Sequence, residues 1–314
     1  MAEVARLDTR PDAGLIRDLE AANWHPLWDR YKTITPIEPS APDGSFHWRW
    51  ADIEPLTARA ATEVPIEDVE RRALIMAHPA FDGKTQTTSN LLSAFTVLEP
   101  GDHARPHRHT AAAIRFATRA DGAATIVNGR RCEMLEGDLI LTPPYCWHGH
   151  VNETDKRIFW FDAANMPLIN SLDANFFYPG DPGDDSFWTA DAGEEAVWQA
   201  SGLVPVDRTH EASHSPKYRY AGADTRAALD ALKPASDGSK TLRYVNPVTG
   251  GPVMATLDVY TTRLAPGAQT QPRRGTWNAI CLVIDGEGRS SVGDRTFDWA
   301  QHDVFTVPHW SWAT

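Results

Sequence analysis

The sequence is poor in cysteine and has no long apolar run. Its three cysteines, Cys132, Cys146 and Cys281, are too few and too widely spaced for a disulfide framework, which favours a reducing compartment. No run of about eighteen apolar residues occurs, and the opening MAEVARLDTRPD has no apolar core after a basic start. These absences argue against a membrane helix and a secretory signal, so we expect a cytoplasmic protein with no membrane partner.

Basic residues are also scarce. The 30 Lys and Arg residues are outnumbered by 42 Asp and Glu residues, which gives a formal net charge of -12 at pH 7. Because nucleic-acid binders need a positive surface, we expect no nucleic-acid partner. A small anionic substrate would need a local cation. The 314 residues suffice for a substantial core and for two domains of ordinary size.

The first part of the chain carries helical patterns. Apolar residues between positions 11 and 35 are spaced for one helix face, and Pro26 is expected to break this run. The acidic stretch after Pro65 predicts a further helix that continues to Met76, because proline fits the first turn and early acidic residues suit the helix dipole. We expect residues 1–85 to form an N-terminal helical arm.

After this arm the pattern changes to short β segments separated by glycine-containing turns. The segments cover residues 91–98, 113–118, 123–127, 130–134 and 138–142, with a further strand expected at 159–162. Regular short strands of this kind predict a sandwich or barrel over residues 86–178. Residues 179–240 are rich in Gly, Pro, Asp and Ala, which predicts a linker with one helix at 224–232. Strands resume at 254–263, within a second β region at 241–314.

Three histidines in the first β region are spaced like the ligands of one metal ion. His107 and His109 lie two apart, so they face the same side of a strand, and a small antiparallel barrel would bring His148 beside them. Neutral imidazole is a good ligand for Fe, Zn, Cu and Ni. A lone His-x-His pair is weak support, but here it follows the turn at Gly101, and His148 follows the turn at Gly137. We therefore predict a metal site.

The β pattern occurs twice in the chain. Gly101, Gly122, Gly129, Asp138, Pro143 and Trp147 recur as Gly267, Gly288, Gly293, Asp303, Pro308 and Trp312. Two copies of one barrel are the simplest explanation. In the second copy the three histidine positions hold Arg273, Gly275 and Ala313, so we expect a metal-free barrel. The sequence stops at Thr314, before the strand that should close this barrel, so we expect the barrel to be incomplete.

These motifs resemble those of a known family. The matching stretches are Pro106-His107-Arg108-His109-Thr110, Ile114-Arg115-Phe116, residues 137–144, residues 147–150 and residues 244–251. They are similar to bicupins of the gentisate 1,2-dioxygenase group, which includes salicylate and 1-hydroxy-2-naphthoate ring-cleaving dioxygenases, and the resemblance runs from about Trp24 to the last residue. It implies an all-β fold with two double-stranded β-helix (jelly-roll) barrels and an N-terminal helical segment. It also implies a homo-oligomer, commonly a tetramer.

The resemblance implies that His107, His109 and His148 hold Fe(II). Many cupins add a glutamate a few residues after the second histidine, but here the corresponding positions are Ala113 and Ile114. The site thus resembles the three-histidine, carboxylate-free iron of the group. Its neutral ligands would leave the charge of the dication available for an anionic, chelating substrate.

Three basic side chains resemble the group's substrate contacts. Arg115 matches the partner of the substrate carboxylate, a task suited to a guanidinium fork. His150 matches the histidine that hydrogen-bonds the substrate phenol or bound oxygen. Arg71, with Arg72, matches an arginine pair in the group. The structural alternatives are a solvated strand arginine, a satisfied surface histidine and, for the pair, salt bridges on a helix surface.

The pocket departs from the group's pattern. Leu92 and Thr96 stand where the group usually has Trp and Gln, Asn165 replaces an Asp, and His78 replaces an Asn. Loss of a Gln that can pair a ring substituent puts gentisate in doubt, because a site built for a hydroxyl discriminates by pairing it. Thr96 leaves more room. A salicylate with a different 5-substituent, such as 5-nitrosalicylate, is therefore a candidate.

The resulting prediction is an Fe(II)-dependent, extradiol-type ring-cleaving dioxygenase. It would open a 2-hydroxybenzoate (gentisate, salicylate or a 5-substituted salicylate) between the carboxyl-bearing and hydroxyl-bearing carbons and incorporate both oxygen atoms of O2. Two alternatives stay open. One is a non-redox metal-dependent cupin isomerase or hydrolase, and the other is a non-catalytic cupin that binds a small acid.

Overall fold

The computed structural model describes residues 13–181, 185–189, 195–200, 202–208 and 213–314. Contacts divide the chain into a first unit that ends at Ser40 and a second unit from Ala41 to Thr314. The start of the predicted arm, including positions 11 and 12, and parts of the predicted linker lie outside the described residues. None of the helices in these ranges has the length and apolar character needed to cross a membrane.

The first unit contains two short helices, α1 (Ala13–Ala21) and α2 (Leu27–Ile34). Pro26 directly precedes α2 and has extended backbone angles. Proline fits this position because its missing N–H would have no helical partner there. The predicted break at Pro26 is therefore confirmed.

The second unit opens with β1 (His47–Trp48), α3 (Trp50–Glu63) and β2 (Ala73–Ile75). The other strands of its first half are β3 (Leu92–Leu98), β4 (His103–His109), β5 (Ala113–Arg119), β6 (Ala123–Val127), β7 (Arg130–Met134), β8 (Leu139–Thr142), β9 (His148–Asn152), β10 (Ile158–Ala164), β11 (Phe177–Pro179) and β12 (Arg219–Tyr220). They form two antiparallel sheets, in the orders β12-β8-β5-β10-β3-β2 and β11-β4-β9-β6-β7. Two such sheets are the architecture of a jelly-roll barrel.

The helix predicted from Pro65 to Met76 is wrong. Pro65 precedes only a single 3-10 turn at Ile66–Asp68, and β2 follows. Val64 is extended, as expected before a proline, so α3 ends there. The segment that follows pairs with β3 along the sheet edge. Long-range strand pairing thus overrides the local helix signal.

Both faces of the six-stranded sheet are buried. On the inner face Trp160 packs against Leu98 and Ala117, while on the outer face Phe95 and Phe161 belong to a cluster with α3. Strands that are covered on both sides read as continuous apolar runs rather than as alternating patterns. A charged residue inside such a strand therefore calls for a buried partner.

The predicted linker packs on the first barrel where it is described. Helix α4 (Met166–Ser171) lies before it, inside the range predicted for the first barrel. The linker range itself contains 3-10 turns at Asp185–Thr189 and Val206–Arg208, α5 (Glu195–Gln199) and α6 (Gly222–Ala231), the last at the predicted helix position. Buried Glu195 pairs with Arg130 of β7 at 3.1 Å. Phe187 and Trp188 cover the outer side of β9, where a Cβ on Gly149 would lie 2.9 Å from the Phe187 ring. This contact fixes the strand that carries His148.

The second half repeats the strand pairing of the first. Its strands are β13 (Ser239–Tyr244), β14 (Val259–Leu264), β15 (Ala279–Leu282), β16 (Gly288–Val292), β17 (Arg295–Trp299) and β18 (Val304–Val307). Ala113 lies opposite Thr142 in the first half, and Ala279 lies opposite Val307 in the second. The predicted all-β bicupin fold is confirmed. The domain boundaries placed at 85, 178 and 240 remain predictions.

Candidate metal centre

Three buried histidines converge inside the first barrel. His107 of β4 lies directly opposite His148 of β9, and His109 is two residues further along β4. In the described part of the chain, they form one group of metal-ligating side chains whose ligand atoms all lie within 4.8 Å of one another. A register shift between Ala104 and His107 precedes the pair. Bulges of this kind re-aim side chains next to functional sites.

Backbone carbonyls fix which nitrogen of each ring faces the centre. Nδ1 of His107 donates to the Arg105 carbonyl at 3.0 Å, Nδ1 of His109 to Ala111 at 2.8 Å, and Nδ1 of His148 to Cys146 at 3.0 Å. A carbonyl only accepts, so each neutral ring carries its proton on Nδ1 and a lone pair on Nε2. This outer hydrogen bond is the usual support of a metal-binding histidine.

The electrostatics keep these rings neutral. Burial, followed by the nearby Arg71 guanidinium, lowers the pKa of His107 to about 2 and the pKa of His109 to about 4. Burial also lowers the pKa of His148 far below its ordinary value, and its Nε2 has no hydrogen-bond partner among the described residues. Buried neutral imidazoles with lone pairs directed at one point fit a first-row transition metal.

Arg71 lies next to this centre, and neither Arg71 nor Arg72 lies on a helix surface. Arg71 contacts Nε2 of His107 through Nη2. Arg72 is buried, donates to the Val64 carbonyl and forms an ion pair with Asp102. The helix-surface interpretation of this pair is therefore wrong, because both residues precede strand β2.

Arg115 is buried inside the barrel beside a carboxylate that the sequence reasoning missed. Only 1% of Arg115 is exposed, and its Nε lies 3.3 Å from Oδ1 of Asp162. The two residues are opposite each other on β5 and β10. Burial lowers the pKa of Arg115 to about 10, and Asp162 counteracts part of this shift. Nη1 of Arg115 also contacts the Thr142 hydroxyl.

Thr96 completes this network. Its hydroxyl donates to Oδ2 of Asp162 at 2.5 Å, so both carboxylate oxygens face side chains of the barrel wall. Leu92 is partly buried at the start of β3, and four residues of strand place it on the same face as Thr96. Asp162 is the only acidic residue in the apolar β10 sequence IFWFDAA, and this was the signal that could have revealed it.

His150 faces the same interior two residues after His148. Its Nδ1 lies 2.9 Å from the Thr125 hydroxyl, and its ring centre lies 5.1 Å from that of Trp160. Nε2 of His150 and Nε1 of Trp160 are buried and have no hydrogen-bond partner in the described ranges. The surface-histidine alternative for His150 is therefore wrong, since 1% of this residue is exposed.

Two other departures from the group's pattern have structural partners. Asn165 accepts a hydrogen bond from the Ala112 backbone N–H at 2.8 Å. His78 donates from Nε2 to the Gly44 carbonyl at 3.0 Å, and its Nδ1 accepts from the Ala80 N–H. These side chains hold loops of the barrel wall.

Comparisons with known proteins decide the family. The cupin domain model matches residues 94–163. A gentisate 1,2-dioxygenase from Streptomyces sp. is 35% identical over 313 residues, which cover 94% of this chain and 86% of that protein. A 5-aminosalicylate 1,2-dioxygenase from Comamonas sp. is 36% identical, with 95% of this chain and 81% of that protein covered. The crystal structure of salicylate 1,2-dioxygenase from Pseudaminobacter salicylatoxidans superposes with a TM-score of 0.87 at 31% identity, covering 98% and 90% of the two chains.

The chain belongs to the gentisate and salicylate 1,2-dioxygenase family. It is an aromatic ring-cleaving dioxygenase, and the predicted class of oxidoreductase is confirmed. Family membership decides against the two alternatives, the non-redox cupin and the non-catalytic acid-binding cupin. In this dioxygenase the three-histidine group and Arg115 lie inside the matched cupin region, and Arg71 precedes that region in the sequence.

Proposed function

We propose that this dioxygenase uses Fe(II), held by His107, His109 and His148, to open the ring of a 2-hydroxybenzoate between carbons 1 and 2. The observation that carries the proposal is the buried Arg115 guanidinium, which shares one barrel interior with three neutral histidines. A cation beside a metal site fits a substrate that carries a carboxylate next to a phenolic oxygen. An iron ion held there would bind such a chelating acid together with O2 and supply the one-electron chemistry that O2 requires.

Arg115 is the proposed partner of the substrate carboxylate. Its planar fork can donate two parallel hydrogen bonds to a carboxylate, and burial strengthens such a pair. Asp162 lies beside Nε and Thr142 contacts Nη1, so the guanidinium is positioned before the substrate arrives. Hydrogen bonds to charged groups contribute about 1.5–3 kcal/mol each, which makes Arg115 a major source of affinity.

Arg71 is the second proposed cation for the substrate. Its guanidinium contacts Nε2 of His107, the atom that a metal ion would use. Metal binding therefore requires Arg71 to turn away from this nitrogen, towards the interior where the substrate would lie. Arg71 and Arg115, offset by one Asp162 carboxylate, leave a net positive interior that suits an anionic acid.

His150 is the proposed proton-handling residue. Its Nε2 has no protein partner in the described chain and faces the interior shared by Arg115 and His107. From this position it can hydrogen-bond the 2-oxygen of the substrate and exchange a proton with it. Burial and the two arginines lower the pKa of His150 well below its ordinary value, so the resting ring is neutral.

We propose that Thr96 and Leu92 determine which substituent on the substrate ring the pocket accepts. Thr96 gives its hydroxyl proton to Asp162, so it does not present a free amide like the Gln usual in the group. The relatives include enzymes named for gentisate and for 5-aminosalicylate. We propose a salicylate with a 5-substituent that needs little hydrogen bonding, with 5-nitrosalicylate as the first candidate.

An oxygen-uptake screen tests this function. The purified protein is reconstituted anaerobically with Fe(II) and then mixed with O2 and gentisate, salicylate, 5-aminosalicylate or 5-nitrosalicylate. We expect uptake of O2 in equal molar amount to at least one 5-substituted salicylate, and none with the His148→Ala protein. Absence of uptake with all four acids in protein of full iron content would contradict the proposal.

The cytoplasmic location and the homo-oligomer, expected to be a tetramer, also remain predictions. Sedimentation analysis would test the oligomeric state.

A further inference from the structure

The four buried histidines of the barrel interior differ in the partner of Nδ1. His107, His109 and His148 each donate from Nδ1 to a backbone carbonyl. His150 instead faces the Thr125 hydroxyl at 2.9 Å. The pairing is direct, because Thr125 and His150 lie opposite each other on β6 and β9.

A carbonyl and a hydroxyl have different effects on a neutral imidazole. A carbonyl can only accept, so it keeps the ring proton on Nδ1. A hydroxyl can donate, and then Nδ1 must be the unprotonated nitrogen. Among the described residues, the Thr125 hydroxyl has one other acceptor within hydrogen-bond distance, Sδ of Met134 at 3.3 Å. A thioether sulfur is a weak acceptor, so the imidazole nitrogen is the better partner for the hydroxyl proton.

We propose that the Thr125 hydroxyl donates to Nδ1 of His150 and thereby places the ring proton on Nε2. His150 then faces the substrate as a hydrogen-bond donor, while the three other rings present lone pairs to the metal. Nε2–H of His150 has no acceptor in the described protein, and the anionic 2-oxygen of a bound 2-hydroxybenzoate would supply one. Thr125 is thus a positioning residue that acts through His150, and this role rests on the proposed function.

The nearby groups are consistent with this assignment. Thr125 is fully buried, so bulk water does not reach its hydroxyl. Trp160, 5.1 Å from the His150 ring, presents a second N–H without a partner among the described residues. The two neighbouring rings thus each carry a buried donor, Nε2–H of His150 and Nε1–H of Trp160, and unpaired donors suit an anionic oxygen rather than a cation.

Two matched variants of Thr125 test the proposal. Thr125→Val keeps the shape and removes the hydroxyl, and Thr125→Ser restores the hydroxyl. The first measurement is the ¹⁵N NMR spectrum of histidines in protein loaded with diamagnetic Zn(II), with His150→Gln used to assign the His150 signals. We expect the Nε2–H tautomer in the parent and in Thr125→Ser, and altered His150 signals in Thr125→Val. A parent protein in which His150 carries its proton on Nδ1 would overturn the proposal.

The second measurement is steady-state O2 uptake at equal iron content. We expect Thr125→Val to lower kcat by about 10-fold to 100-fold with a smaller change in KM, the range that is seen when the outer hydrogen-bond partners of metal ligands are removed. Thr125→Ser should recover most of kcat. Full activity of Thr125→Val, or an equal loss in both variants, would overturn the inference. The NMR measurement needs no turnover, so a protein with the expected tautomer that cleaves no 2-hydroxybenzoate would contradict the proposed function alone.

Discussion

The two halves of the second unit share strand register but differ in chemistry. In the first half His107 lies opposite His148, and at the matching place in the second half Arg273 bridges to Ala313. The barrel pairing therefore forms with or without ligand side chains. The three-histidine group is an addition to this fold, not a condition for it.

The interior of the second half shows what replaces the site. Gly275 takes the position of His109, and a Cβ on Gly275 would overlap the indole of Trp277. Cys281 takes the position of Arg115, and burial raises the pKa of its thiol to about 11, so it is uncharged. Where the first half has ligands and a buried cation, the second half has an aromatic ring and a neutral side chain.

The largest expected effect comes from removing a ligand in the first half. His148→Ala takes away a nitrogen between the other two histidines, so we expect iron content to fall and O2 uptake to drop by about a thousandfold or more, since this chemistry depends on the metal. Metal analysis and an oxygen electrode measure both. Ala313→His is the matched change in the second half. It should bind no additional metal, because Gly275 supplies no ligand. A second equivalent of tightly bound iron would contradict the view that only the first half can hold a metal.

The next effect concerns the cation of the first half. Arg115→Lys keeps a charge beside Asp162 but loses the fork, so we expect KM for the substrate to rise by about 10-fold to 100-fold with a smaller change in kcat. Initial rates over a range of acid concentrations check this. Cys281→Ser, at the matching position, should leave KM unchanged. An unchanged KM in Arg115→Lys would show that another group holds the carboxylate.

Sequence patterns predicted the residues whose spacing is local. His107 and His109 are two apart on one strand, and the motif that follows the turn at Gly137 pointed to His148. The structure brings these three together as expected. Asp162 and Thr125 were missed because each meets its partner only through strand register, Asp162 opposite Arg115 and Thr125 opposite His150. No local pattern carries that information.

The same reasoning explains the wrong helix. The signal after Pro65 was a sound local preference, with a proline and acidic residues in a first turn. The edge of the barrel sheet offered β2 a strand partner in β3 instead. Arg71 and Arg72 precede β2 and so do not lie on the predicted helix. Arg71 contacts His107, and Arg72 pairs with Asp102. The spacing of the turns predicted the β fold class. Whether the segment at the sheet edge became a helix or a strand depended on its pairing with β3.

A third effect should appear as an acid sensitivity of the first half. The folded-state pKa values of about 4 for His109 and about 2 for His107 lie below the ordinary value of 6.5. Between these pKa values and pH 6.5 the unfolded chain therefore binds more protons than the folded chain. The contribution of these histidines to the free energy of unfolding is fully present above pH 6.5 and is lost as the pH falls from 6.5 towards the folded-state pKa values. Thermal unfolding of metal-free protein at several pH values measures this. His109→Gln should show a flatter pH dependence, and hydrogen exchange at pH 5 should increase in β4 and β9 before β15 and β18.

The smallest expected effect concerns a feature that both halves keep. Arg108, between the two ligands of β4, places its guanidinium over the rings of Tyr145, Trp147 and Tyr178 at 5.6, 4.9 and 5.3 Å. Because cation–π contacts contribute about 0.5–2 kcal/mol, we expect Arg108→Met to lower the free energy of unfolding by about 1–2 kcal/mol. Chemical denaturation measures this.

The matching arginine in the second half, Arg274, shows whether this contact stabilises the fold or supports catalysis. Arg274 lies over Trp310 at 4.3 Å and over Trp312 at 4.9 Å, next to a place that has no ligands. Arg274 is more exposed than Arg108, so we expect Arg274→Met to lower the free energy of unfolding by less, about 0.5–1 kcal/mol. Since the arginine–aromatic contact also occurs where the histidines are absent, we expect it to stabilise the fold and not to support metal binding. Loss of iron in Arg108→Met without any loss of stability would contradict this and tie the contact to the metal centre.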